Sequence, residues 1–424
     1  MIQYPKIFRL RQKFSRPRVE DIPATVEQEL LRLSLAQCVR PGQSVAITAG
    51  SRGIANIHLI IKAIVGHFRS IGAQPFIVPA MGSHGGGTAE GQRKLIESYG
   101  ITEEFCGCPI RSSMETVVVC EAEEGFPVHI DRLAYEADHV LVCGRVKPHT
   151  AFTGSIESGL MKMMLIGLGK HAGAKVYHAA IQDYSFDQIV RSVGRHVLKR
   201  CNVVAGLAIV ENAYDETARL QAVAPEEFEP REQELLQLAK EWMPRLPFDR
   251  VDVLLIDEMG KNISGSGMDT NVIGRKYYEN VAAPDEFPKV KRIVTRGLTR
   301  ETHGNAIGIG IVDFCTQRLA ESIDRHSTWI NGWTASHIGV VKMPPAFETD
   351  RAILDAALPT IGLTPPERAK VLWIRNTLDL AEVECSAVFL DDAQQRDDLE
   401  VLSPLRDLPL DAQGNLPLSQ AELR

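Results

Sequence analysis

Apolar residues along this chain alternate between short β-branched runs and stretches in which they recur every three or four positions. "SVAITAG" (Ser44 to Gly50) predicts a buried strand, and "ANIHLIIKAIVGHFRSIG" carries helical spacing as far as Gly72. "QPFIVPAMG" predicts a second strand, "TAEGQRKLIESYG" a helix capped by Thr88, and "TVVVCE" a third strand. "DHVLVCGRV" (Asp138 to Val146) predicts a fourth. This β-α-β rhythm favours a parallel sheet, whose ligands gather at the carboxyl ends of its strands. The charged segment 225–247, bracketed by prolines, reads as a connecting helix. A second unit opens with the buried strand "RVDVLLIDEMG" (Arg250 to Gly260) and continues through the strand candidates "AIGIGIVDF" and "KVLWIRNT".

The expected architecture is therefore α/β with two domains and an active site in the cleft between them. Residues 1–246 form an amino-terminal cofactor-binding domain with a parallel sheet. Residues 247–398 form a smaller carboxy-terminal α/β domain, and 399–424 a loosely attached tail. A length of 424 residues exceeds one ordinary core. With 44% hydrophobic and 24% charged residues the chain reads as globular. A net charge of −7 and a pI near 6.0 speak against nucleic-acid binding. Neither a signal peptide nor a membrane span is evident, and eight scattered cysteines suit a reducing cytoplasm. "FCGCP" (Cys106, Cys108) invites a metal reading, but a C-x-C without a second pair is weak evidence for zinc.

The unusual residues fall at strand ends. Arg52 follows the first strand in "AGSRGIAN", His84 the second in "MGSHGGGTAEG", and His149 the fourth in "VKPHTAFTG". On a parallel sheet those ends share one edge, so the three side chains could converge. A lone histidine is more often a surface or core residue than a catalytic one. Three glycines beside His84 strengthen its case, because they cost chain entropy unless backbone must approach something closely. Neither loop is a G-x-G-x-x-G or a P-loop, so a nicotinamide enzyme lacks its usual fingerprint. "SGSGMD" (Ser264 to Asp269) reads equally as a flexible loop.

This constellation resembles the nickel-dependent lactate racemases and their relatives. Arg52 in "AGSR", Gly82-Ser83-His84 and Pro148-His149 match the family's pattern in order. The family's anchoring lysine is best matched by Lys162, which precedes His178 by the family's 16 residues, with Lys170 in "GLGK" as its rival. Glu258 and Lys261 in "DEMGKN" match a spaced pair of the second domain. The chain departs from the lactate racemases proper around the anchor, reading "SIESGLMK", and has Ala49 near the position of a family aspartate. Those departures imply a substrate other than lactate.

The resemblance implies a racemase or epimerase that inverts C2 of a 2-hydroxy acid, such as a sugar acid, by reversible hydride transfer. Its cofactor is a nickel-pincer nucleotide (pyridinium-3,5-bisthiocarboxylic acid mononucleotide nickel). His84 and His149 are the implied acid/base pair, suited by an imidazole pKa of about 6.5. Arg52 would clamp the substrate carboxylate with two parallel hydrogen bonds, helped by Lys261 and Glu258. Lys162 would tether the cofactor, His178 would ligate nickel, and Ser83, Gly85 and Gly86 would hold its phosphate. Trp329, Trp333 and His303 are candidates for the substrate pocket. Expected partners are the hydroxy acid, the cofactor-synthesis proteins that load the chain and, as an open alternative, a second copy forming a homo-oligomer. Rival readings are an NAD-type oxidoreductase of hydroxy acids, a non-catalytic sugar-acid-binding protein, and a divalent-metal hydrolase built on Asp257, Glu258 and Asp269.

Overall fold

The computed structural model describes residues 2–51, 53–276, 285–334 and 337–417. In chain order the first strands are β1 (Ile7–Gln12), β2 (Ser44–Ala49), β3 (Gln74–Pro79), β4 (Thr116–Glu121), β5 (Pro127–Asp131), β6 (His139–Arg145), β7 (Val203–Glu211) and β8 (Thr217–Val223). The remainder are β9 (Arg250–Ile256), β10 (Lys289–Thr295), β11 (Phe314–Thr316), β12 (Ala346–Phe347), β13 (Val371–Ile374), β14 (Glu382–Ser386) and β15 (Leu399–Val401). They divide between two compact α/β units. One comprises Met1–Ser15, Thr150–Phe152 and Pro244–Arg424, the other Arg16–His149 and Thr153–Met243.

The second of these units carries most of the candidate chemistry. Its sheet has the order β3-β2-β6-β7-β8, parallel except for β8. The central strands read as continuous apolar runs because both faces are covered. Ile47, Leu141, Leu207 and Ile209 pack with Ile60, Ile61, Ile64 and Phe68 of the helix Ile57–Ser70 and with Val26 and Leu30 of the helix Ile22–Arg32. Gly72 stops the longer helix in the left-handed region, at φ 83°. Two expectations change here. "TVVVCE" is β4, but it pairs antiparallel with β5 in a separate hairpin and is no member of the parallel sheet. Its residues are only partly covered, as a two-stranded ribbon requires. The segment expected to be a connector contains the helix Phe228–Trp242, which buries Phe228, Glu232, Leu235, Leu236 and Ala239. Its apolar stripe belongs to the unit's core.

The other unit is an eight-stranded mixed sheet of order β12-β11-β10-β9-β13-β14-β1-β15. The first five are parallel, and the last three join antiparallel. β1 thus comes from the amino terminus, separated from the strands it pairs with by more than 350 residues. "AIGIGIVDF" is only partly a strand: a 3-10 turn, Ile309–Ile311, precedes β11. Gly308 at φ 93° directs that turn, a conformation disfavoured for any residue with a Cβ.

Residues 399–417 are not loosely attached. β15 pairs with β1, Leu416 is buried, and the carbonyls of Leu416 and Pro417 accept hydrogen bonds from Arg296 at 3.0 and 2.7 Å. Arg296 is itself buried between Asp257 and Asp350, while Trp373 Nε1 donates to Asp257 at 2.6 Å. Among the described residues no helix is long and apolar enough to cross a membrane.

Candidate active site

Strands β3, β2 and β6 lie side by side and parallel, so the loops after them leave the same edge. Two strand spacings place the loops after β3 and β6 roughly 10 Å apart. The first loop carries Ser83, His84 and the glycine run, and the second Pro148 and His149. Arg52, expected after β2, lies outside the described residues. Its neighbour Ser51 is held on two sides: its hydroxyl contacts His84 Nδ1, and its carbonyl accepts Tyr99 Oη at 2.8 Å.

The glycine run has a structural cause of its own. Gly82, Gly85, Gly86 and Gly87 all adopt positive φ, between 59° and 68°. A Cβ on Gly85 would stand 2.6 Å from Gln92 N and from Gly91 C, so the loop backbone packs directly on the first turn of the helix Ala89–Ser98. Thr88 caps that helix as expected, accepting Gly91 N at 3.1 Å. Gly86 differs: a Cβ there would meet nothing within 4 Å, so this face of the loop stands open.

Beyond His149 the chain folds around a buried carboxylate. Glu157 Oε2 accepts His149 N at 2.7 Å, and its Oε1 accepts Gly154 N at 3.4 Å and pairs with Lys240 Nζ at 2.8 Å. A short helical turn, Leu160–Lys162, then runs into a π turn, Met163–Gly167, a form found often at functional sites. This segment crosses the strand ends. A Cβ on Gly50 would lie 3.1 Å from Met163 Cε, one on Gly144 3.5 Å from it, and one on Gly82 3.0 Å from Ile166 Cγ2. The small residues after β2 and β3 and within β6 thus admit the turn that carries Lys162.

Lys162 and His149 meet at one ring. The imidazole of His149 stacks on Phe186, with centroids 6.1 Å apart and planes 21° from parallel, and Lys162 Nζ lies 6.0 Å from the same ring. Lys162 Nζ also reaches Ser158 Oγ at 3.4 Å. Phe186, the first residue of the helix Phe186–Arg200, was not singled out by sequence, because one more aromatic residue at a helix start carries no signal.

His178 lies on the helix Lys170–Ala180. His171, Ala174 and His178 recur at the spacing of one helical stripe, two turns or about 10 Å long. The first half of that stripe faces the glycine loop: a Cβ on Gly87 would stand 3.7 Å from His171 Nδ1, and one on Gly82 3.5 Å from Ala174 Cβ.

The rival lysines occupy different surroundings. Lys170 is fully buried, with φ 54°, and its ammonium donates to Pro79 O at 2.8 Å and Gln92 Oε1 at 2.7 Å, 3.4 Å from Asp131 Oδ2. Burial pushes Lys170 below the usual lysine range, against the pull of Asp131. It likewise pushes Asp131 up, against Lys170. Lys162 is only partly buried. Glu232 was missed as well. It is buried against the start of the Lys162 turn, where Oε2 accepts Met161 N at 2.9 Å, and burial pushes its carboxyl up to about 7, against the opposing pull of the Met161 and Leu160 amides.

Glu258 and Lys261 belong to the other unit, after β9. Glu258 Oε1 accepts Arg375 Nε at 3.1 Å and Asn376 Nδ2 at 2.9 Å, and Lys261 Nζ donates to Asn331 Oδ1 at 2.6 Å. Trp329 and Trp333 are exposed on the helix Arg325–Thr334, and His303 follows a 3-10 turn at φ 49°. A hydrolase on Asp257 and Asp269 finds no support. Asp257 is committed to Arg296 and Trp373, and Asp269 accepts Asn271 N at 3.0 Å as a helix cap. Gly267 in "SGSGMD" has φ 79° and packs on Ile307 and Met259, so that stretch is a tight turn. Cys106 and Cys108 are buried thiols pushed up to about 11 and 12 by burial, and no group of three metal-ligating side chains occurs among the described residues.

These features define a two-unit α/β protein with histidine and lysine side chains at the carboxyl edge of a parallel sheet. Residues 8–187 match the lactate racemase N-terminal domain family, a span that includes His84, His149, Lys162 and His178. The chain is similar in structure to the solved lactate racemase apoprotein from Thermoanaerobacterium thermosaccharolyticum, with TM-score 0.53 and 15% identity, over 89% of this chain and 94% of that one. Residues 8–187 are thus similar to a lactate racemase N-terminal domain, and the likeness to the solved structure shows a shared fold. No curated protein matches its sequence.

Proposed function

We propose that this protein is a racemase or epimerase that inverts C2 of a 2-hydroxy acid other than lactate. The observation that carries the reading is the shared edge of β3, β2 and β6, where His84 and His149 follow two strands and Lys162 joins His149 at Phe186. Inversion at such a carbon needs a proton acceptor for each enantiomer, and imidazole exchanges protons near neutral pH. His84 engages Ser51 through Nδ1, which orients its ring for such an exchange. His149 would serve the opposite enantiomer, its backbone fixed by Glu157 and its ring plane by Phe186. Arg52 is assigned the substrate carboxylate.

The donor set fits a nickel-pincer nucleotide. Lys162 offers an amine for a covalent tether, His178 an imidazole suited to nickel, and the open face at Gly86, with Ser83 and Gly85, room for a phosphate. When bound, that group supplies a reversible hydride acceptor. Its own synthesis proteins are the partners this reading calls for, and the cytoplasm the setting it assigns.

The test is co-expression with that synthesis machinery, followed by chiral chromatography of single-enantiomer hydroxy acids, sugar acids included. Loss of optical purity in the wild type, absent in His84→Ala and His149→Ala, is the expected result. A chain loaded with nickel and modified at Lys162 that leaves every acid optically pure refutes the reading. Turnover that needs freely exchanging NAD instead identifies an oxidoreductase.

A further inference from the structure

We infer that Lys170 and Gln92 are positioning residues that lock the His84 loop to the helix bearing His178. The inference rests on the functional reading above for what the two histidines do, but not for its geometry. Gln92 is fully buried and uses both ends of its amide. Its Oε1 accepts Lys170 Nζ at 2.7 Å, while its Nε2 donates to Gly82 O at 2.8 Å and His84 O at 3.3 Å. Lys170 in turn holds the end of β3 through Pro79 O at 2.8 Å and pairs with Asp131 at the end of β5. One ammonium therefore joins the strand before the His84 loop, the helix after it, and the hairpin β4–β5.

Three features make a merely incidental contact a poor account. A lysine with no exposed surface is rare unless its charge is paired, and Asp131 supplies that pair. Lys170 also holds a left-handed backbone that disfavours side chains, and such strain persists only where the surroundings over-determine it. Finally, Lys170 opens the helix on which His178 lies two turns further on, so the same residue fixes the start of that helix and the carbonyls of the opposite loop. A buried hydrogen-bond chain of this kind sets the relative placement of two groups more rigidly than apolar packing does, because each bond is directional. Lys170 is thereby excluded as the cofactor tether, since attachment there would strip the ammonium from Pro79, Gln92 and Asp131.

Gln92→Glu and Lys170→Met test this. Glutamate at 92 keeps an acceptor for Lys170 but loses the amide donors to Gly82 and His84, so it separates positioning from burial of the lysine. Amide hydrogen exchange needs no cofactor. Residues 82–88 are expected to exchange about tenfold faster in both variants, with β2 and β6 unchanged, the loss expected from one or two ordinary hydrogen bonds. In the loaded protein kcat is expected to fall about tenfold with KM within about twofold, and the tether mass to remain on Lys162. Unchanged exchange at 82–88 in a folded Gln92→Glu protein overturns the inference, as does exchange that accelerates evenly across the unit or a cofactor adduct on Lys170. Should the wild type carry no adduct and racemise nothing, the functional reading falls while the exchange comparison still decides this one.

Discussion

Replacing Glu232 by glutamine isolates an electrostatic cost beside the turn that carries Lys162. The carboxyl is buried, its Oε1 has no hydrogen-bond partner among the described residues, and Oε2 accepts Met161 N. Gly159 permits this approach, because a Cβ there would run into the carboxyl carbon of Glu232. Burial pushes the group from an ordinary 4.5 to about 7. The folded protein thus binds this proton more tightly than the unfolded chain. Stability from Glu232 is fully present below pH 4.5 and is lost as pH rises through about 7. The shift corresponds to about 3 kcal/mol across that window. Glutamine keeps the acceptor and removes the titration, so Glu232→Gln is expected to flatten the decline by about that amount. The measurement is urea unfolding between pH 4.5 and 8, followed by pulsed hydrogen exchange in segment 159–167. That local readout is needed because the two units need not unfold together. Wild-type and variant profiles that run parallel over the whole range refute the reasoning.

Two further predictions concern backbone and buried charge. Gly86→Ala is expected to cost about 1 kcal/mol, the penalty of a left-handed alanine alone, whereas Gly85→Ala adds a clash with the Gly91–Gln92 backbone and should cost at least about twice as much; thermal unfolding of the two variants side by side checks the order. Arg296→Leu strands Asp257 and Asp350 without their shared cation and releases Leu416, and is expected to cost about 3–5 kcal/mol. Differential scanning calorimetry, with limited proteolysis near residue 417, reads both effects.

Local sequence determined the elements whose signal lies within a few residues. β2, β3, β6, β9 and β13 are legible as β-branched runs, and the helices at 57–70 and 89–98 as apolar stripes with a glycine stop and a threonine cap. Because parallel strands must expose their carboxyl ends together, the same runs also located the loops of His84 and His149. What sequence could not show are relations between distant segments. β1 and β15 join a sheet whose other strands begin at residue 250, and β4 leaves the parallel sheet for a hairpin with β5. Nothing in a six-residue run specifies its partner, since strand pairing is satisfied by any edge of the right register. The lysines make the same point at the site. Spacing to His178 favours Lys162 as the anchor with Lys170 as its rival, and only the structure shows how different their surroundings are: one lies partly covered beside Phe186, the other fully enclosed by Pro79, Gln92 and Asp131. Desolvation is a property of everything that surrounds a charge, and most of what surrounds Lys170 is remote from it along the chain.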